Sequence, residues 1–176
     1  TPKDKIVFDV SHQTYPHKML TGRKKAYMEE ASYDEVGPYT DPKESPYDLF
    51  SIGHTSTSID LALGLAKARD LLSGTEKVVA VIGDGSLSGG MALEGLSNAG
   101  EQESQLLIIL NDNEMSIAEN HGGMYKGLQR LRESNGWAED NLFRAMGLEY
   151  LYEEQGNDVE SLVKALEKVK SYEKPV

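Results

Sequence analysis

Hydrophobic positions along the chain fall into two kinds of run. Three are short, continuous and rich in branched residues: Lys5–Val10 (KIVFDV), Lys77–Ile82 (KVVAVI) and Gln105–Leu110 (QLLIIL). Runs of this length and make-up predict buried strands. The other kind recurs at helical spacing. Ile59, Leu63 and Ala66, beside Ala62 and Leu65, predict a helix capped by Ser56 or Thr57 and ending near Ser73-Gly74. Small residues over Gly90–Ala99 predict a second helix, and the stretches near 123–134 and 139–146 predict two more. Asp158 is placed to cap an amphipathic helix with Val159, Leu162, Val163, Leu166 and Val169 on one face. Glu149–Tyr152 reads as a short fourth strand.

The connections are polar. Pro16 to about residue 30 is basic and reads as helical, with Pro16 in a first turn. Residues 31–48 hold Gly37, Pro38, Pro42 and Pro46 and read as loop. Gly83–Ser86 reads as a turn, and Asn111–Ser116 as a polar loop. The predicted order is β-α-β-α-β-α-α-β-α. Such alternation with continuous apolar strands predicts an α/β fold, a doubly wound, mostly parallel sheet with helices on both faces. Ligands of such sheets bind at the carboxyl ends of the strands. The two most unusual loops, Gly83–Ser86 and Asn111–Ser116, both follow predicted strands directly.

Composition narrows the function. The 176 residues, 39% hydrophobic and 27% charged, suit one globular domain. There is no Cys, which excludes disulfides, a thiolate nucleophile and Cys-ligated zinc. It fits a reducing compartment, so the expected location is cytoplasmic. A net charge of −11, from 29 acidic and 18 basic residues, argues against a nucleic-acid or anionic-membrane partner. A phosphate ligand is compatible with that charge if a cation comes with it. The longest aliphatic runs, Val78–Ile82 and Leu106–Leu110, are too short to span a bilayer. The chain begins at Thr1-Pro2 and ends at Lys174-Pro175-Val176, so a piece of a longer protein is expected.

Gly83-Asp84-Gly85-Ser86 admits three readings. It is a plain Asp-Gly turn, a loose dinucleotide fingerprint completed by Gly89-Gly90, or a diphosphate loop whose Asp84 ligates a metal. A carboxylate beside a pyrophosphate is repulsive unless a cation lies between, which favours metal ligation over bare nucleotide binding. Asn111-Asp112-Asn113-Glu114-Met115 is by itself a solvated turn. Its Asn113 follows Gly85 after 27 residues, 86–112, which hold one helix and one strand. A crossover of that kind returns the chain in parallel, so both loops open on the same sheet edge. Asp84 and Asn113 can then offer two oxygens to one hard cation.

Gly-Asp-Gly, about 27 residues and Asn together resemble the thiamine diphosphate motif of transketolase-type enzymes. Four blocks sharpen the resemblance to the 1-deoxy-D-xylulose-5-phosphate synthase family. Asp9–Lys18 (DVSHQTYPHK) with Leu20–Arg23, Ser51–Ser58 (SIGHTSTS), Val81–Ser86 (VIGDGS) and Leu110–Ile117 (LNDNEMSI) are similar to that family's segments, in its order. The resemblance implies that Asp84 and Asn113 ligate Mg²⁺, with the Met115 backbone carbonyl as a further ligand. Gly85 and Ser86 would hold the diphosphate. His12, Gly53, His54 and Thr55 would line the diphosphate and thiazolium side, His12 and His54 as catalytic groups. It implies one thiamine diphosphate-binding domain over 1–176, incomplete at both ends, with pyrimidine-binding and C-terminal domains absent and no activity alone. The implied parent enzyme is a homodimer that condenses pyruvate with glyceraldehyde 3-phosphate, releasing CO₂ and giving 1-deoxy-D-xylulose 5-phosphate for isoprenoid synthesis.

Some residues stand apart. Ser11 and Ser86 replace the family's Gly and Ala, and the long segment that follows NDNEMSI in the family is short here. His17, Lys18, Arg23, Lys24 and Lys25 form a basic run, read as a solvated helix face rather than a phosphate contact. His121 either approaches the metal loop or starts a helix. Trp137 and Tyr33, Tyr39 and Tyr47 are assigned to packing or loop structure. The rivals are another transketolase-type enzyme or half-subunit, a Rossmann-type NAD(P) oxidoreductase and a non-catalytic domain of the same fold.

Overall fold

Three parallel strands form the sheet, in the order β1 (Lys5–Phe8), β2 (Val78–Gly83), β3 (Leu107–Asn111). The computed structural model describes residues 3–10, 12–115 and 118–176, without the His12 side chain. Phe8 pairs with Val81 and Gly83 with Asn111, so β2 is central and all three strands end at one edge. The predicted α/β parallel fold is thus found.

Two helices carry much of the core, α3 (Ser58–Leu71) against β2 and α5 (Gly90–Gln102) against α3. In α3, Ile59, Ala62, Leu63 and Ala66 are buried, as the spacing predicts. In α5, Ala92, Leu96 and Ala99 are buried. The helices approach closely, since a Cβ on Gly95 would lie 2.9 Å from Ile59. On β2, Val78, Ala80 and Ile82 are buried while Val79 and Val81 are only half-buried, and Ile109 on β3 is 36% exposed. The face that carries Val78, Ala80 and Ile82 is therefore the more deeply covered of the two.

Several local expectations change. The basic stretch breaks into α1 (Tyr15–Lys18), a distorted turn over Met19–Arg23 and α2 (Lys25–Met28). The break falls at Gly22, whose φ of +101° suits a residue without Cβ. Gly83–Ser86 is not a bare turn, because Asp84–Leu87 winds into a single helical turn, α4. Helices α6 (Gly123–Glu133) and α7 (Leu142–Ala145) fall within their predicted stretches, the latter only four residues long. Glu149–Tyr152 is extended without being a strand; the Glu149 N–H donates to the Pro175 carbonyl instead. Val176 itself bonds to Leu106 and Ile108 alongside β3.

Helix α8 (Val159–Val169) starts where predicted, with the Asp158 carboxylate accepting the Ser161 N–H at 2.7 Å. Its apolar stripe does not enter the core: Val159, Leu162, Val163 and Leu166 are all exposed. Trp137 is not packed either, being 77% exposed with the Arg144 guanidinium over its ring. Tyr33, Tyr39 and Tyr47 are likewise exposed, in keeping with a loop assignment.

The basic run is the largest departure. Lys18 is fully buried and donates to the Gly37 and Tyr39 carbonyls and to Glu44. Arg23 bonds both oxygens of Asp48 and reaches Glu44, and His17 contacts Asp48 at 3.1 Å. Lys18 and Arg23 are thus neither a solvated face nor a phosphate site, whereas Lys24 and Lys25 are exposed as expected. The former two fasten the 31–48 loop, because buried charges require partners of opposite sign.

Candidate functional site

The site lies at the carboxyl ends of the strands, where three loops meet. After β1 the chain places Asp9, fully buried, with one carboxylate oxygen accepting the Ser56 N–H and the other the Ser58 N–H. Asp9 therefore caps α3 from a distant loop, and neither Ser56 nor Thr57 does so with its own side chain. The Ser56 hydroxyl then donates to the Ser86 carbonyl at 2.6 Å, joining the second loop to α4. Gly89 permits this contact, since a Cβ there would lie 1.9 Å from the Ser56 oxygen.

Asp84 opens α4 and is 2% exposed. One oxygen accepts the Gly85 N–H at 3.0 Å and the other the Asn120 side-chain amide at 2.6 Å. Burial pushes its carboxyl above the ordinary carboxylate range; the Gly85 N–H opposes this, the neighbouring Asp112 carboxylate reinforces it, and Asn120 opposes it again. A buried and a partly buried carboxylate thus lie close together, an arrangement that favours a cation or a proton beside Asp84.

The third loop follows β3. Asn113 is exposed, with its side-chain oxygen accepting the Met115 N–H at 3.2 Å. Met115 bridges to Glu119, which turns the loop back. From α6, Arg132 bonds Asp112 with one nitrogen and Glu114 with the other. All three loops carry a non-glycine residue in the left-handed region: Val10 at φ 55°, Ser56 at 72° and Glu114 at 64°. Such residues cost roughly 1–3 kcal/mol each, and they concentrate where function holds a backbone in place.

The expected residues therefore divide. Asp84, Gly85 and Ser86 lie together at the end of β2, tied to the 53–58 loop by Ser56. The strand register puts Asp112 next to Asp84, with Asn113 and Met115 one and three residues beyond Asp112. Gly53, His54 and Thr55 are exposed; His54 Nδ1 contacts the carbonyl of its own neighbour Thr55. Ser11 and the His12 side chain lie outside the described residues. His121 is exposed and precedes α6 by two residues. Asp9, Asn120 and Arg132 escape the sequence reading as organisers, although Asp9 does open the first family block. Among the described residues, no three His, Asp or Glu side chains form a metal cage, and no helix is long and apolar enough to cross a membrane.

Known structures define the class. The chain superimposes on transketolase from Leishmania mexicana with a TM-score of 0.74, over 98% of this chain and 27% of that one, at 23% identity. Transketolase from Campylobacter jejuni gives 0.66 over 99% of this chain and 29% of that one, also at 23% identity. This is the transketolase-like α/β fold.

Sequence comparison defines the family. Residues 1–139 match the family model for 1-deoxy-D-xylulose-5-phosphate synthase, and the chain belongs to that family. The synthase of Syntrophotalea carbinolica is 42% identical over 212 aligned positions, covering all of this chain and 33% of the relative. That of Carboxydothermus hydrogenoformans is 53% identical over 131 residues, or 74% of this chain and 21% of the relative. The resemblance read from the four blocks is borne out. The chain spans at most about a third of the length of these relatives. An alignment of 212 positions on a 176-residue chain also means that the Syntrophotalea enzyme carries residues with no counterpart here.

Proposed function

We propose that this chain is the cofactor-diphosphate-binding part of a 1-deoxy-D-xylulose-5-phosphate synthase and holds thiamine diphosphate through Mg²⁺. The observation that carries this reading is Asp84: a buried carboxylate at the end of the central parallel strand, with a second carboxylate beside it. The donor set fits the cation. Mg²⁺ takes one or two carboxylates and completes its shell with neutral oxygens, water and phosphate rather than an all-protein cage.

In this assignment Asp84, Asn113 and the Met115 carbonyl hold Mg²⁺. Gly85 and Ser86 hold the diphosphate, and Gly53, His54, Thr55 and His12 flank the cofactor. Bound thiamine diphosphate supplies the electron sink for decarboxylating pyruvate and passing its two-carbon remainder to glyceraldehyde 3-phosphate. The protein's share is position and charge. Asp9 and Ser56 fix the spacing between the 53–58 and 84–87 segments, Arg132 fixes the loop of Asn113, and the exposed His54 imidazole offers a ring nitrogen beside the cofactor. The product is 1-deoxy-D-xylulose 5-phosphate with release of CO₂. The assembly is a homodimeric cytoplasmic transferase, in which 1–176 forms one domain without turnover by itself.

Thermal unfolding with thiamine diphosphate and Mg²⁺ tests the site. A ligand at about 100 times its Kd adds about 2.7 kcal/mol, equivalent to roughly 5–10 °C for a chain of this size. The shift is expected to need both components and to vanish in Asp84→Ala. A wild-type chain that shows no shift at millimolar cofactor and metal would overturn the assignment.

A further inference from the structure

Asn120 covers the Asp84 carboxylate. Its side-chain nitrogen lies 2.6 Å from the Asp84 oxygen not engaged by the Gly85 N–H. Its own side-chain oxygen is buried and has no hydrogen-bond partner among the described residues. An amide that spends its donor on one carboxylate and leaves its acceptor unpaired is poorly satisfied as a purely structural group, since an orphaned buried oxygen is destabilising. The arrangement makes sense if the amide covers a charge that is otherwise covered by something else.

We propose that Asn120 is a placeholder for the metal: its NH₂ group covers Asp84 while no cation is present and must leave for the cation to bind. The inference rests on Asp84 being the metal ligand, as proposed above. The NH₂ group is a partial positive charge of the right size to sit against a carboxylate oxygen. Asp84 is buried and has Asp112 as its charge neighbour, so the cation-free site needs such cover. A metal that binds this oxygen must displace the amide, and the cost of breaking that bond is subtracted from its affinity. Asn120 is in this sense a positioning residue, acting on the metal through Asp84. It sits next to His121, the residue to which the sequence draws attention, yet the structure gives the contact with Asp84 to Asn120.

The sign of one measurement decides. Mn²⁺ titration of the full chain in the presence of thiamine diphosphate, followed by loss of the free-ion paramagnetic resonance signal, reads affinity without turnover. Asn120→Ala is expected to bind Mn²⁺ about tenfold more tightly than wild type, the scale of a charge-assisted hydrogen bond, and to unfold at a lower temperature without metal. Asn120→Ser, too short to reach Asp84, carries the same expectation should the alanine variant not fold. Unchanged affinity makes Asn120 structural only, and weaker affinity makes it a ligand; either overturns the placeholder while leaving the Asp84 assignment intact. Absence of Mn²⁺ binding in wild type and both variants overturns the placeholder and the Asp84 assignment together.

Discussion

The two halves of the site are held in different ways. The 53–58 and 84–89 segments are fastened by buried contacts: Asp9 under Ser56 and Ser58, Ser56 on Ser86, and Gly89 allowing close approach. Residues 113–115 lie at the surface, with Asn113 and Met115 exposed, and depend on Arg132 reaching across from α6. A buried carboxylate with two N–H partners costs much to disturb, whereas a half-exposed ion pair contributes little to global stability. The first half is therefore a fixed frame. The second can be adjusted at small cost to the fold.

The contrast breaks most easily at Asp9. Asp9→Ala leaves two buried N–H groups unpaired, at about 1–3 kcal/mol each, and a loss of roughly 3–5 kcal/mol is expected. In thermal unfolding that amounts to a fall of about 10 °C or more. Gly89→Ala comes next. Its Cβ collides with Ser56, so the expected loss is about 1–3 kcal/mol, and the Ser56→Ala background should relieve part of it. Denaturant titration of the single and double variants tests that coupling.

Arg132→Ala should behave oppositely. A change within about 1 kcal/mol in global stability is expected, while amide exchange of Met115 speeds up and the stabilisation by Mg²⁺ with thiamine diphosphate falls. A stability loss as large as that of Asp9→Ala would show that the two halves are not distinct.

The smallest effect concerns an anchor that is buried yet ionic. Burial alone would raise the Asp48 carboxyl, but its hydrogen bonds to Arg23 and the Asp41 N–H, with the Arg23 charge, hold it below its usual value of 3.8. A carboxyl lowered in the folded state stabilises fully above 3.8 and loses that contribution as pH falls through its folded value. Acid is therefore expected to release the 31–48 loop below about pH 3.8. Exchange at the Gly37 and Asp41 amides against pH reads this out, and Asp48→Asn should remove the dependence.

The regular core was legible because its periods are local. The strands after Lys5, Lys77 and Gln105 and the helices α3, α5 and α8 each declare themselves within a dozen residues or so. Asp84 was legible as a candidate because a Gly-Asp-Gly turn after an apolar strand is unusual. What stayed hidden was made over distance. Asp9 reaches Ser56 across 47 residues, Asn120 reaches Asp84 across 36, and Arg132 reaches Asp112 across 20. The basic run misled for the same reason, since the partners of Lys18 and Arg23 lie some 20 residues away in a loop that carries no periodic signal. The exposed stripe of α8 shows the converse error: amphipathicity predicts a helix but not which surface it meets.

The pairing of β1 with β2 has a consequence for the order of folding. Asp4 and Lys77, which flank that pairing, are 73 residues apart. Closing a flexible loop of that length costs on the order of 4 kcal/mol before any contact across it is rewarded. Helix α3 and the α5–β3 crossover can collapse on β2 with much shorter closures. The edge strand and the Asp9 contacts that depend on it therefore belong to the later stages of folding. A nascent chain would hold most of its core before the loops around Asp9 and Ser56 were fixed.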